Sequence, residues 1–157
     1  MESESSLTLL DMQKMQTMEE LRECNDLTVK YGLHLSEQQI LELTEKRFAA
    51  LKDTGRIEFG EGILKKLVTE FCDSPYIMQD SYMDSILELQ DAFYYFKNES
   101  MDLYTDDELI TMMKYYFDNI CEGSIEYLNG TSLEDLCRGA RYSSGQDGDD
   151  PYGRYFR

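Results

Sequence analysis

The chain has 157 residues, 41% of them hydrophobic and 12% aromatic, with 32 acidic against 15 basic side chains and a formal net charge of −17. That length and apolar content exclude a wholly disordered chain and make a disulfide or metal staple unnecessary. The charge speaks against nucleic-acid phosphates and anionic lipid surfaces as partners, and no apolar run approaches the ~18 residues of a membrane span.

The first five residues are expected to fray, and a first helix is predicted over about Leu7 to Tyr31, with Leu21, Cys24, Thr28 and Tyr31 in one stripe. Gly32 supplies its stop. Ser36 and Gln39 then form a capping box, and Leu35 and Ile40 occupy the positions of a hydrophobic staple. The helix they start is predicted to reach about Lys52, facing inward with Leu41, Thr44, Phe48 and Leu51. Residues 56–60 hold at most a short extended piece, since Ile57 and Phe59 alternate with charged residues. A third helix over about Glu61 to Cys72 points Ile63, Leu64, Leu67, Val68 and Phe71 inward, and Pro75 ends it.

From about Asp80 to Lys97 the periodicity is clearest, with Tyr82, Ile86, Leu89, Phe93 and Phe96 at alternating steps of four and three. Thr105 and Glu108 start a fifth helix that is predicted to run to about Cys121, with Leu109, Met113, Tyr116 and Ile120 on one face. Short helices over Ser124–Leu128 and from Thr131 to about Arg138 complete the body, the second with a Thr131–Glu134 box. These signals predict an all-α fold, an irregular bundle of about five main helices plus short ones, in one domain over residues 1–138. Residues 139–157 lose the periodicity and read as a flexible tail; from its edge onward Arg138, Arg141, Arg154 and Arg157 alternate with Tyr142, Tyr152, Tyr155 and Phe156.

The charge is unevenly spread. Residues 1–66 hold 9 basic and 13 acidic side chains, residues 67–137 hold only Lys97 and Lys114 against 16 acids, and residues 138–157 hold 4 Arg and 3 Asp. Asp102, Asp106, Asp107 and Glu108 concentrate the excess at one helix start, where acids also complement the helix dipole. Helix stability alone does not require a net −14 over 71 residues, so these four acids are the candidate partner-binding residues.

Three stretches, Thr54–Gly60 (TGRIEFG), Glu70–Ile77 (EFCDSPYI) and Phe93–Glu99 (FYYFKNE), resemble a family of short bacterial proteins classed as a domain of unknown function. The resemblance covers roughly residues 18–138 and implies no activity, fold or catalytic residue; it implies a bacterial, cytosolic origin.

Other constellations each have a plainer explanation. Gly60-Glu61-Gly62 before a helix, with Arg56, Lys65 and Lys66 nearby, could cradle an anion, yet no phosphate-loop or dinucleotide pattern is complete and a tight turn needs the same glycines. Lys46, Arg47, Lys52, Arg56, Lys65 and Lys66 form a basic cluster that Glu45, Asp53, Glu58 and Glu61 dilute, which reads as surface charge rather than a DNA-reading face. Cys72 would need an imidazole base, and His34 is the sole histidine; a buried structural thiol accounts for Cys72 as well. The four cysteines, Cys24, Cys72, Cys121 and Cys137, lack a C-x-x-C pair and read as reduced. Met12, Met15 and Met18 have the softness for Cu(I) but read as core filler, while Asp147, Asp149 and Asp150 fail the calcium-loop pattern. No cofactor or metal is implied.

The leading expectation is a non-enzymatic, cytoplasmic interaction module for a basic protein, with a homo-oligomer through the Tyr- and Met-rich helices as a further arrangement. The alternative is a small-ligand binder or enzyme with a pocket near Arg56–Gly62 and Cys72–Tyr76, drawing on Arg56, Gly60, Gly62, Cys72, Tyr76 and His34.

Overall fold

A computed structural model describes residues 8–56, 62–128, 130 and 132–144. Among these the fold is all-α, an irregular bundle without strands. In chain order it comprises α1 (Leu9–Thr28), a 3-10 turn (Val29–Tyr31), α2 (Glu37–Thr54), α3 (Ile63–Phe71), a second 3-10 turn (Gln79–Ser81), α4 (Tyr82–Glu99), α5 (Asp106–Asn119), α6 (Ile125–Leu128) and α7 (Ser132–Ser144). Ile57–Glu61, Asn129, Thr131 and the chain after Ser144 lie outside the described residues, so the extended piece and most of the tail lie outside them too. Helix α7 continues six residues past Arg138 because the Arg138 guanidinium bonds back one turn to Glu134 and no proline follows until Pro151.

The starts of these helices follow local chemistry. The Ser36 hydroxyl accepts from the Gln39 N–H at 3.1 Å while the Gln39 side chain accepts from the Ser36 N–H at 2.9 Å. Thr105 and Glu108 repeat the exchange at 3.1 and 2.9 Å. A further box starts α1, where Thr8 and Asp11 trade bonds of 3.0 and 3.3 Å. Gly55 closes α2 in the left-handed region, at φ +68°, with the Arg56 N–H returning to the Leu51 carbonyl.

The chain divides into two compact units. The first takes the described residues up to Asp73 together with Ile77–Leu87; the second takes Ser74–Tyr76 and the described residues from Glu88 onward. In the first, α1 packs on α2 and α3. Its core includes Leu21, Cys24, Leu43, Leu67, Val68, Phe71, Tyr82 and Ile86, all buried. In the second, α5 packs on α6 and α7, and the core includes Leu89, Phe93, Phe96, Leu109, Met113, Phe117, Leu128 and Cys137.

Two predicted faces are displaced. On α2 the buried positions are Ile40, Leu43, Thr44, Arg47 and Leu51, whereas Leu41 is exposed and Phe48 half-buried. The true stripe starts one residue earlier and includes a charged side chain, which an apolar-periodicity reading passes over. On α5, Ile120 is exposed and Phe117 is buried, because the helix ends at Asn119 and Ile120 turns away with φ −117°. Tyr31, placed in the first helix's stripe, is exposed in the 3-10 turn.

Candidate functional site

The acids of the second unit are arranged around its few basic side chains. The Lys97 side chain is only 9% exposed. Its ammonium donates to the Tyr104 carbonyl at 2.9 Å and pairs with Asp106 Oδ1 at 2.9 Å. The Lys114 ammonium lies 3.3 Å from Asp118, one turn further along α5. The Arg138 guanidinium reaches three acids: Glu99 at 3.1 Å, Glu134 at 2.7 Å and Asp135 at 3.8 Å. The Tyr95 hydroxyl also donates to Glu134, and that bond, with burial behind it, pushes the phenol up to about 12. Each of these described cations is thus turned onto acids of its own unit, while Glu88, Asp102, Asp107, Glu122 and Glu126 remain exposed.

The four predicted partner-binding acids differ in their surroundings, and Asp102, Asp107 and Glu108 are all exposed. Asp106 is committed to Lys97, and Glu108 caps its own helix. Asp102 lies in the left-handed region at φ +62°.

At the opposite end of α5 a short strap is fastened. The Ser74 hydroxyl donates to Asp118 Oδ1 at 2.6 Å and accepts from the Tyr76 N–H at 3.2 Å. The Tyr76 ring meets Phe117 edge-on, with centroids 6.1 Å apart. Gly123 sits beneath that ring at φ +86°, where a Cβ would fall 2.5 Å from Tyr76 Cβ and Cγ. Both the backbone conformation and the space demand glycine here.

The predicted small-ligand residues are distributed differently. Arg56, Gly62, Cys72 and His34 belong to the first unit, Tyr76 to the second, and Gly60 lies outside the described residues. Cys72 is 5% exposed and its thiol faces the Thr69 carbonyl at 3.6 Å. Burial pushes the Cys24 and Cys137 thiols up to about 12 and raises Cys121, so none of these three supplies a thiolate near neutral pH. His34 is exposed and is held through its backbone, which exchanges bonds of 2.8 and 3.0 Å with the Gln79 side chain. Arg56 is half-buried.

Gly62 caps α3 with φ −75°, so positive φ is not what it provides. A Cβ there would lie 3.1 Å from Glu20 Oε1 and 3.2 Å from the Arg47 guanidinium. The Glu20 carboxylate accepts from the Gly62 N–H at 3.4 Å. It occupies the position that a bound anion would take at the start of α3. Arg47, read from sequence as surface charge, is 6% exposed and donates to the Thr17 hydroxyl. This buried set of Thr17, Glu20 and Arg47 escaped the sequence reading; its one signal is a charged residue at the inner spacing of two helices.

Met12 and Met15 are exposed and Met18 is half-buried, so they are not core filler. No group of three or more His, Cys, Asp or Glu side chains among the described residues is placed to hold a metal, and no described helix is long and apolar enough to cross a membrane.

Residues 20–146 match the Family of unknown function (DUF6323). The chain belongs to that family. No curated protein and no solved structure matches it. The DUF6323 span takes in all three segments that suggested a known family, and the structure gives two of them work to do. EFCDSPYI ends α3 and forms the Ser74–Tyr76 strap; FYYFKNE supplies Tyr95, Lys97 and Glu99 to the ionic network. The exposed methionines Met12 and Met15 fall before the DUF6323 span begins.

Proposed function

We propose that this DUF6323 protein is a non-enzymatic interaction module that meets a basic partner protein through the acidic surface of its second unit. One observation carries the reading. Lys97, Lys114 and Arg138 are each neutralised inside the unit, while Glu88, Asp102, Asp107, Glu122 and Glu126 stay at the surface. Such a surface attracts cationic segments at long range and holds them in a salt-dependent way. The buried thiols and the anion position filled by Glu20 support a binding role over a catalytic one.

The test is fluorescence anisotropy with a labelled arginine-rich peptide. Binding should weaken steeply between about 0.01 M and 0.15 M salt, as the screening length shrinks from ~30 to ~8 Å. Reversing Glu88, Glu122 and Glu126 to Lys should abolish it. Reversing the exposed first-unit acids Asp26, Glu42 and Asp53 should leave most of it. Equal losses from the two triple variants would reduce the effect to bulk charge and end the reading.

A second reading, self-association, draws on the exposed apolar row Leu9, Met12 and Met15 of α1. The net charge of −17 opposes it. Sedimentation equilibrium at high and low salt discriminates, since a charge-opposed dimer would strengthen with salt.

A further inference from the structure

Within that acidic surface the turn between α5 and α6 differs from the rest. Tyr76, Ile120 and Tyr127 are 40%, 41% and 55% exposed there, although all three are large and apolar. The chain brings them to one turn. Tyr76 lies against Gly123, Ile120 is the C-cap of α5 three residues earlier, and Tyr127 follows within one helical turn. Glu122 and Glu126 flank them and are exposed.

The backbone of the turn is also closely hydrogen-bonded. Gly123 N–H donates to the Phe117 carbonyl at 2.9 Å, Ser124 N–H to the Cys121 carbonyl at 3.1 Å, and Tyr127 N–H to the Ser124 hydroxyl at 3.1 Å. Tyr76 is fixed by the Ser74 bond and the Phe117 edge. Aromatic rings held in place contribute contact area at small entropic cost, which is why Tyr anchors interfaces.

Three independent features at this turn favour positive charge. The carboxylates of Glu122 and Glu126 attract it directly. The tyrosine faces attract it through their quadrupoles. Helix α5 points its negative end here, with no basic side chain in its last turn. Three side chains 40–55% exposed suit a group delivered by a macromolecule more than a small molecule that needs a pocket.

We infer that the α5–α6 turn is an arginine- or lysine-docking point, where Tyr127 and Tyr76 stack on a cationic side chain of a partner protein and Glu122 and Glu126 neutralise it. This inference rests on the acidic-surface reading above and narrows it to one place.

The experiment uses the full chain and the same arginine-rich peptide. Tyr127→Ala should weaken binding about threefold to thirtyfold, the span of one aromatic–cation contact, while Tyr127→Phe retains it. Asp26→Asn, a charge change in the first unit, should alter affinity less than about twofold. Tyr127 is exposed, so its variants should unfold like the parent, which circular dichroism checks. If binding is salt-sensitive but Tyr127→Ala binds like the parent, this inference falls and the acidic-surface reading stands. If the parent fails to bind the peptide even at low salt, both fall. Spermine binding as tightly as the peptide would make the occupant a free polyamine and overturn the inference. So would a Tyr127-dependent dimer in sedimentation, which would make it a second copy of the chain.

Discussion

Gly123 is the position where one methyl group should do most damage. At φ +86° an alanine pays the left-handed penalty of about 1–2 kcal/mol. Its Cβ would also lie 2.5 Å from the Cβ and Cγ of Tyr76, so Tyr76 must move as a whole, its ring with it. Displacement forfeits the edge contact with Phe117, about 0.5–1.5 kcal/mol. It also re-exposes on the order of 100 Å² of ring, about 2 kcal/mol. Gly123→Ala should therefore cost about 3–5 kcal/mol in urea unfolding, or roughly 10 °C in Tm for a chain of this size. Gly55 provides the control, since its φ is +68° and nothing lies within 4 Å of its Cβ position. Gly55→Ala should cost only the conformational part, about 1–2 kcal/mol. In a Tyr76→Gly background, which removes the clashing Cβ as well as the ring, the Gly123→Ala penalty should shrink to that same size, giving a coupling of about 2–3 kcal/mol. If Gly123→Ala costs no more than Gly55→Ala, or adds to Tyr76→Gly without coupling, the steric argument is wrong.

Two other predictions concern charge in the interior. Because burial raises Cys24 and Cys137 to about 12, against about 8.5 for an ordinary thiol, their contribution to stability is complete below pH ~8.5 and is lost as pH rises toward 12. At about 1.4 kcal/mol per pH unit for each thiol, raising the pH from about 7.5 to 9.5 should remove on the order of 2–3 kcal/mol. Urea melts of the parent and of Cys24→Ala/Cys137→Ala measure this, and an equally steep decline in both would contradict it. For Lys97, replacement by Met should cost about 1–2 kcal/mol, because the Tyr104 carbonyl loses its donor while Asp106, whose side chain is 42% exposed, is rehydrated. Lys97→Ala should cost more because the buried stem goes too; a Met variant as stable as the parent would show that the pair contributes nothing net.

What could be read from the sequence was whatever is decided within a few residues. The Ser36–Gln39 and Thr105–Glu108 boxes are local chemistry and appear at the predicted positions. The α4 row of Tyr82, Ile86, Leu89, Phe93 and Phe96 is buried throughout, since a helix with one long apolar stripe has one way to turn. The Thr8–Asp11 box was missed because Asp takes the place where Glu or Gln is usual. The α2 face was misjudged because Arg47 goes inward, and only the arrival of Thr17 and Glu20 from another helix makes that tolerable. The site was less legible than the fold. A patch assembled from Tyr76, Ile120 and Tyr127 depends on a contact across about fifty residues of chain, which no periodicity encodes.

The cap on α3 has a bearing on how the first unit assembles. Gly62 offers no side chain to its own helix, and the nine residues that follow are too few to persist alone in water. The acceptor comes instead from Glu20, on a helix that leaves the ribosome more than forty residues earlier. Helix α3 should therefore be a follower in folding: α1 forms first and α3 condenses against it. Glu20→Gln, which keeps the shape but discards the charge, should then act mainly on the unfolding rate and leave the refolding rate nearly unchanged.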